Sequence, residues 1–255
     1  MNHKNIPLLN FDPTRKAIIE PGKIIQPRDV PEHCVICFFA EVIEWVKENY
    51  NPREVWRSSS EIGPHPLYEI DFQGQRLAFF HPGVGAPLAA GLLEEMIAVG
   101  CRKFIACGSC GVLDPEIAVG HLLLPVAAIR DEGTSYHYLP PSREVEADPR
   151  GVEALESVLK RHGLAYIRTK TWTTDGIYRE TPAKAARYLE EGCLTVEMEA
   201  AAFFAVAKFR QVTFAQLLYG GDAVIEEGWD GRGWHRRIDI RRNLFWLAAE
   251  AVLEL

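Results

Sequence analysis

The segment 86–111, APLAAGLLEEMIAVGCRKFIACGSCG, contains the alternation that decides the fold class of this chain. Residues 86–99 carry apolar side chains at helical spacing and therefore predict a helix. Residues 103–107 form a short apolar run that predicts a buried strand, and the glycine-rich stretch 108–111 predicts a loop after it. A helix, a buried strand and a glycine-rich turn in succession form the repeating unit of an α/β sheet.

The alternation of strands and helices continues outward from this segment in both directions. Short apolar runs predict further strands at 16–20, 33–39, 67–72, 76–81, 121–129, 165–173 and 214–219. Helical spacing predicts further helices at 40–50, 152–162, 181–191, 197–209 and 241–255. Strands that alternate with helices predict an α/β sheet with helices on both faces. Because no repeat or long linker interrupts the pattern, we expect a single domain.

Composition and charge exclude several classes of protein. The chain has 255 residues, of which 47% are hydrophobic and 25% charged, as in an ordinary globular domain. Its 28 basic and 35 acidic residues give a net charge of −7, which argues against general nucleic-acid binding but not against a small anionic ligand. No run of about 18 apolar residues predicts a membrane span, and the polar N-terminus lacks an apolar signal core, so we expect a cytoplasmic protein.

Cofactor and metal motifs are incomplete in this sequence. The Gly-Val-Gly stretch at 83–85 lacks the third glycine of a dinucleotide fingerprint, and no Gly-Lys-Ser/Thr phosphate loop occurs. The pairs Cys34/Cys37 and Cys107/Cys110 have zinc-like spacing, but residues three apart on a strand point to opposite faces. We therefore predict no organic cofactor, no metal, and free thiols rather than disulfides.

Three acidic residues are candidates for a role in substrate binding or catalysis. Glu197 and Glu199 stand at the entrance to an apolar helix, where they either favour the helix N-terminus or accept hydrogen bonds from the paired hydroxyls of a sugar. Asp222 follows two glycines and is either a turn aspartate or a general acid. Glycine-rich turns at 21–22, 108–111 and 220–222 each follow a predicted strand, so they are candidates to share one cleft.

Basic and aromatic residues alternate near the C-terminus of the chain. Such a mixture can bind nucleic acid, but neighbouring acidic residues nearly cancel its charge, and a solvated helix face is the preferred interpretation. The residues are Trp229, Arg232, Trp234, Arg236, Arg237, Arg241, Arg242 and Trp246.

Taken in order, several of these blocks resemble the nucleoside phosphorylase family, which includes hexameric purine nucleoside phosphorylase, uridine phosphorylase and the adenosylhomocysteine nucleosidases. The resemblance runs from about residue 17 to about residue 224. It implies one domain over residues 1–255 with a three-layer α/β/α fold and a central mixed, partly barrel-like β-sheet. The blocks are FHPGVGAP at 80–87, GSCG at 108–111, RDEGTS at 130–135, TTDGIY at 173–178 and VEMEAA at 196–201.

The resemblance assigns the sugar and the leaving base to particular residues. Glu199 would hold the ribose hydroxyls, with Glu197 beside it and Met198 packed against the sugar. His3 lies at about the right distance before Gly22 to match a histidine that is lent to the ribose site of a neighbouring subunit. Asp222 matches the aspartate that protonates a purine ring nitrogen in the purine branch of the family.

The resemblance also implies a base site and a phosphate site. Ile177 would lie where an aromatic residue usually stacks on the base, and Cys110 and Gly111 would border the base. The residues expected to contact phosphate, the co-substrate, are Ser109, Gly22 and Gly108.

Some positions depart from the family pattern. Gly22 is followed by Lys-Ile-Ile-Gln instead of Asp-Pro-x-Arg, and Ala106 stands where an arginine is usual. The glutamine and arginine with which the uridine branch reads uracil fall near Thr181 and Ala183. The missing uracil-reading residues, together with Asp222, favour a purine base.

The sequence therefore predicts an enzyme that cleaves a purine nucleoside with phosphate to give a free base and a pentose 1-phosphate. The expected partners are the small-molecule nucleoside and phosphate, with a second copy of the chain in a dimer or hexamer. Three alternatives stay open: a uridine phosphorylase, a phosphate-independent nucleosidase of the same fold, and a non-catalytic nucleoside-binding protein.

Overall fold

The computed structural model describes residues 6–225 and 227–255. Within these residues one mixed sheet contains the strands β1 (His33–Cys37), β2 (Arg53–Ser60), β3 (Gly63–Phe72), β4 (Gln75–Phe80), β5 (Lys103–Val112), β6 (Leu122–Asp131), β7 (Glu144–Glu146), β8 (Tyr166–Thr174), β9 (Cys193–Glu197), β10 (Thr213–Ile225) and β11 (Gly228–Asp230). The α-helices are α1 (Pro21–Ile24), α2 (Ala40–Tyr50), α3 (Ala86–Val99), α4 (Pro149–Arg161), α5 (Pro182–Glu190), α6 (Ala200–Arg210) and α7 (Ile238–Leu253).

Five of the strands close into a barrel. Strand β5 pairs with β10 in parallel and with β9 in antiparallel orientation. The ring is completed by β9 with β8, β8 with β6, and β6 with β10. From β5 the sheet continues outward through β1, β4, β3 and β2. The predicted α/β fold with a mixed, partly barrel-like sheet is confirmed.

Helices cover both faces of the parallel part of the sheet. All residues of β1 from Cys34 to Cys37 are fully buried, although successive side chains on a strand point to opposite faces. Helix α7 packs on β1 and β5, and α4 packs against α7 and β10. Helix α6 packs with α3 and against β6, β8 and β10. All six cysteines are buried and free, as predicted. No helix in the described ranges has the length and apolar character needed to cross a membrane.

The predicted strand at 16–20 is wrong. Ile18 is 101% exposed and Ile19 is 73% exposed, and this stretch pairs with no strand of the described sheet. An apolar pair alone does not form a strand, because its backbone N–H and C=O groups need a neighbouring strand to bond. Conversely, β2, β7, β9 and β11 were not predicted, since each is short or largely exposed.

The structure also corrects two of the predicted turns. Gly108–Gly111 lies inside β5, and Gly220–Asp222 lies inside β10. Both strands continue past their apolar residues, because the glycine-containing parts of β5 and β10 pair with each other. Strand β5 also pairs with β9, and these pairings close the barrel. The glycines there permit close approach of neighbouring side chains instead of forming turns.

Candidate active site

The turn from β9 into α6 is held by Glu197. Its Oε1 accepts a hydrogen bond from the Thr173 hydroxyl at 2.6 Å. Its Oε2 accepts hydrogen bonds from the backbone N–H groups of Glu199 at 2.7 Å and Ala200 at 2.6 Å. N–H groups at the start of a helix have no partner within the helix, so this carboxylate satisfies them. With both oxygens engaged, Glu197 is better placed to hold the turn than to make the predicted contact with ribose.

Glu199 is the carboxylate that this turn presents. It is 5% exposed, and its Oε1 accepts a hydrogen bond from the backbone N–H of Gly85 at 2.6 Å. Burial, and then the negative charge of Glu197, raise the pKa of Glu199 to about 8. A carboxylate has about four acceptor positions, so Glu199 retains capacity for further donors. Paired hydroxyl groups are donors of the kind it can accept.

Asp222 lies at a β-bulge. The register between β10 and β5 shifts between Gly220 and Ala223. Gly221 and Asp222 therefore oppose a single residue of β5, Gly111. A bulge bends its strand and re-aims a side chain, which is common next to active sites. Here it brings Oδ1 of Asp222 within 3.7 Å of the point where a Cβ of Gly111 would lie.

Gly111 separates Asp222 from the turn that carries Glu199. A Cβ at this position would lie 2.9 Å from methyl carbons of both Val196 and Val224, so only glycine fits without displacement. Val196 belongs to β9, three residues before Glu199, and Val224 belongs to β10, two residues after Asp222. Asp222 thus approaches β5 from one neighbouring strand, and the other neighbouring strand, β9, leads after Val196 into the turn that carries Glu199.

Cys110 lies near the carboxyls of Glu197 and Asp222. It is buried, and its thiol contacts the carbonyl oxygen of Tyr219 at 3.4 Å. Burial raises the pKa of Cys110 well above its usual value, and the charges of Glu197 and Asp222 raise it further. The structure therefore places Cys110 and Gly111 near Asp222, and their contact with the base stays a prediction.

The segment after β8 faces Asp222. Ile177 begins a short 3₁₀ helix and is 53% exposed. Three residues later, burial and then the charge of Asp222 raise the pKa of Glu180 to about 7. This electrostatic effect places the segment near the acid, so an exposed apolar Ile177 is available to cover a base. Met198, in the turn between the two glutamates, is half-buried.

The predicted phosphate residues Gly108 and Ser109 each have an aromatic residue as a neighbour. A Cβ at Gly108 would lie 3.2 Å from the ring of Phe38, which comes directly after β1. Ser109 is half-buried and pairs with Tyr219 across β5 and β10. The hydroxyl of Tyr219 donates to the carbonyl oxygen of Trp234 at 2.8 Å.

A buried arginine stands behind Tyr219. Arg241 is 6% exposed, and its Nε donates to the hydroxyl of Tyr219 at 3.0 Å. Its Nη1 forms an ion pair with Glu41, and its guanidinium lies 4.9 Å from the ring centre of Phe39 and 5.1 Å from that of Trp234. The predicted solvated helix face is therefore wrong for Arg241, which is buried and paired.

Gly22 is not brought to this site. Gly22 lies in α1, whose neighbour Glu20 bonds Arg210 at 3.4 Å. Arg210 ends α6, whereas Glu199 precedes its first turn, and the 11 residues of α6 span about 16 Å. The predicted phosphate contact of Gly22 therefore has no support from the geometry. His3 lies outside the described residues.

Several residues of this site were not predicted. Gly85 and Thr173 fall in blocks that carry the family resemblance, but nothing in the sequence indicates that they bond Glu199 and Glu197. Trp229 donates its indole N–H to Oδ2 of Asp222 at 2.7 Å. Within the described ranges, no group of three or more His, Cys, Asp or Glu side chains is arranged to hold a metal ion.

Comparison with known proteins shows the family of this chain. The family model described as the phosphorylase superfamily matches residues 32–232. The chain belongs to this family. The predicted recognition of the nucleoside phosphorylase family, and of an enzyme of that type, is thereby confirmed. The match includes both carboxyl-bearing segments and ends shortly after the bulge.

Individual relatives in the phosphorylase superfamily differ in substrate. The chain is 24% identical over 189 residues to the guanosine phosphorylase of Halorubrum lacusprofundi, covering 74% of this chain and 77% of that one. It is 30% identical over 166 residues to the uridine phosphorylase of Thermococcus kodakarensis, covering 60% of this chain but only 58% of that protein.

Solved structures in the phosphorylase superfamily share the fold. The purine nucleoside phosphorylase of Toxoplasma gondii, in complex with immucillin-H, has a TM-score of 0.77 at 21% identity and covers 90% of this chain and 96% of its own. The AMP nucleosidase of Bacteroides thetaiotaomicron has a TM-score of 0.71 at 22% identity and covers 88% of both chains. At these identities the likeness concerns the fold alone.

Proposed function

We propose that this chain cleaves the N-glycosidic bond of a purine nucleoside with phosphate, releasing the base and a pentose 1-phosphate. One observation carries the proposal. The buried carboxyl of Glu199 lies in the turn that follows β9, three residues after Val196, and Val196 and the carboxyl of Asp222 approach Gly111 from the two strands that neighbour β5.

Glu199 suits the sugar. Cleavage of a glycosidic bond develops positive charge on the anomeric carbon. A carboxylate that accepts hydrogen bonds from the sugar hydroxyls orients the ring and stabilises this charge more in the transition state than in the substrate. Glu199 has a backbone donor at Gly85 on one oxygen and acceptor capacity left for such hydroxyls.

Asp222 suits the leaving base. As the C–N bond breaks, its electron pair passes to the base, and a proton from the carboxyl of Asp222 goes to a ring nitrogen. Phosphate attacks the anomeric carbon from the other side and forms the new C–O bond. General acid catalysis of this kind contributes about 10²–10⁴-fold to the rate. Uracil offers no equivalent basic ring nitrogen, so an acid at this position supports a purine.

Hydrolysis is the second candidate, because the side chains that the structure places against Gly108 and behind Tyr219 offer no unpaired cation for phosphate. Phe38 lies against Gly108, and the cation of Arg241 is already paired with Glu41. Water needs no cationic site. In that case the base and the free pentose would be the products, with the same roles for Glu199 and Asp222.

The test is base release from a panel of purine and pyrimidine nucleosides, with and without phosphate. Phosphorolysis predicts release of purines that depends strictly on phosphate, whereas hydrolysis predicts equal release without it. Asp222→Asn should lower kcat on purine nucleosides by about 10²-fold or more. Asp239→Asn, in an exposed part of the first turn of α7, is the matched control and should behave as wild type. Full activity of Asp222→Asn would refute the proposed role of this acid.

A further inference from the structure

The segment that follows β10 encloses Asp222. Arg232 donates to the carbonyl oxygens of Gly221 and Asp222, each at 3.0 Å, and to that of Ile117 at 2.7 Å. Trp229 donates its indole N–H to the carboxyl oxygen Oδ2 of Asp222 at 2.7 Å. Arg232 therefore fixes the backbone at the bulge, and Trp229 is the contact that reaches the side chain itself.

The hairpin formed by β10 and β11 explains this reach. Trp229 pairs directly with Val224 across the hairpin. Val224 and Asp222 lie on the same side of β10, since both approach the position of a Gly111 Cβ. Trp229 is thus the diagonal cross-strand neighbour of Asp222, a distance that a long aromatic side chain can span. The outer part of its ring packs against Gly231, where a Cβ would lie 2.9 Å from the indole.

The chemistry of indole determines what this hydrogen bond does. An indole N–H only donates, so Oδ2 of Asp222 must accept. When Asp222 is protonated, the proton therefore belongs on Oδ1. That oxygen is the one directed at Gly111, beside the region proposed for the base.

We propose that Trp229 is a positioning residue that directs the acid proton of Asp222 to the leaving base. The inference rests on the proposed function. As the proton leaves Oδ1, Asp222 becomes a carboxylate, and the indole hydrogen bond to Oδ2 strengthens because its acceptor is now charged. Trp229 thus stabilises the state that develops during the reaction more than the ground state, which raises kcat rather than substrate affinity.

Two substitutions of Trp229 separate the effect of its N–H donor from the effect of its aromatic ring. Trp229→Phe keeps an aromatic ring over Gly231 but removes the N–H. Trp229→Gln loses the ring but keeps an N–H group four bonds from Cα, the same number as in tryptophan. Because Trp229 is 69% exposed, both variants should retain the wild-type fold and melting temperature.

The expected results follow from the loss of one hydrogen bond to a charged group. Trp229→Phe should lower kcat about tenfold with KM nearly unchanged, and Trp229→Gln should recover most of that loss. Both variants retain Glu180, Cys110 and Arg232, which lie near Asp222 in the part of the chain that the structure describes.

A nucleoside that is methylated at the accepting ring nitrogen supplies the decisive control. Its base already carries a positive charge and leaves without a proton, so the difference between wild type and Trp229→Phe should disappear. Equal kcat values for wild type and Trp229→Phe on the unmethylated nucleoside would overturn the inference, and so would equal losses in both Trp229 variants. If Asp222→Asn is impaired while Trp229→Phe is not, only the role of Trp229 fails. If Asp222→Asn is fully active, the proposed function fails with it.

Discussion

Glu199→Gln should make the stability of this protein less dependent on pH. In the folded chain the pKa of Glu199 is about 8, against an ordinary value of 4.5. Between these two values the folded chain binds a proton that the unfolded chain has released, so stability falls as the pH rises. The stabilising effect of the proton is complete below pH 4.5 and is lost as the pH passes through 8.

The size of the effect follows from the same two values. Each pH unit between them is worth about 1.4 kcal/mol, so ionising Glu199 costs the folded chain at most about 5 kcal/mol. Relaxation around the charge reduces this, and we expect about 3 kcal/mol. The cost arises because Glu199 is 5% exposed and stands beside the charge of Glu197. A glutamine has the same shape and cannot ionise, so the variant does not bear this cost.

Urea unfolding at intervals between pH 5 and pH 9 measures the effect directly. The free energy of unfolding of the wild type should fall relative to that of Glu199→Gln across this range, with most of the change below pH 8. All other titrating groups are shared, so the difference between the two curves isolates the Glu199 position. Glu153→Gln, at an exposed position of α4, should follow the wild type. Parallel curves for wild type and Glu199→Gln would refute the argument.

Three further predictions concern the same site. At pH 7, binding of a nucleoside should release up to one proton, measured by calorimetry in buffers of different ionisation enthalpy, because sugar hydroxyls favour the charged form of Glu199. Gly111→Ala should lower the free energy of unfolding by about 1–3 kcal/mol and reduce kcat, because its Cβ would lie 2.9 Å from two valine methyls. Gly22→Ala, where a Cβ meets open space, should change neither quantity. Thr173→Val should cost about 1–3 kcal/mol in chemical unfolding, since Glu197 loses a donor at 2.6 Å, and Thr173→Ser should not.

The sequence predicts the parts of this fold that depend on local pattern. The helix predicted at 86–99 is α3 to the residue, and the strands at 33–39, 67–72 and 76–81 correspond to β1, β3 and β4. Their signals are apolar spacing and turn residues, which are local properties of the chain. The ends of β5 and β10 were read as turns, because glycine usually marks one. Only the pairing of strands distant in sequence shows that these glycines lie inside a barrel.

The site, like the fold, contains residues that a local sequence pattern indicates and residues whose contacts depend on strand pairing. Glu199 and Asp222 are recognisable because each breaks a local rule: a carboxyl leads an apolar helix, and an acid follows two glycines. Trp229 gives no such signal, since its contact with Asp222 depends on the register of a hairpin. Gly22 was chosen because it resembles a phosphate-loop glycine, yet it belongs to a short helix at the far end of α6.

The two carboxyls must be in opposite states when the bond breaks, and their surroundings provide for this difference. Glu199 is neutral at pH 7 in the empty site, because burial and Glu197 raise its pKa to about 8. The hydroxyls of an arriving sugar add to the Gly85 N–H the further donors that favour its charged form. Asp222 has to begin protonated and end charged, and its donor from Trp229 is already in place to stabilise the charged product. Substrate binding thus prepares one carboxyl for the cationic sugar, while the protein prepares the other for loss of its proton.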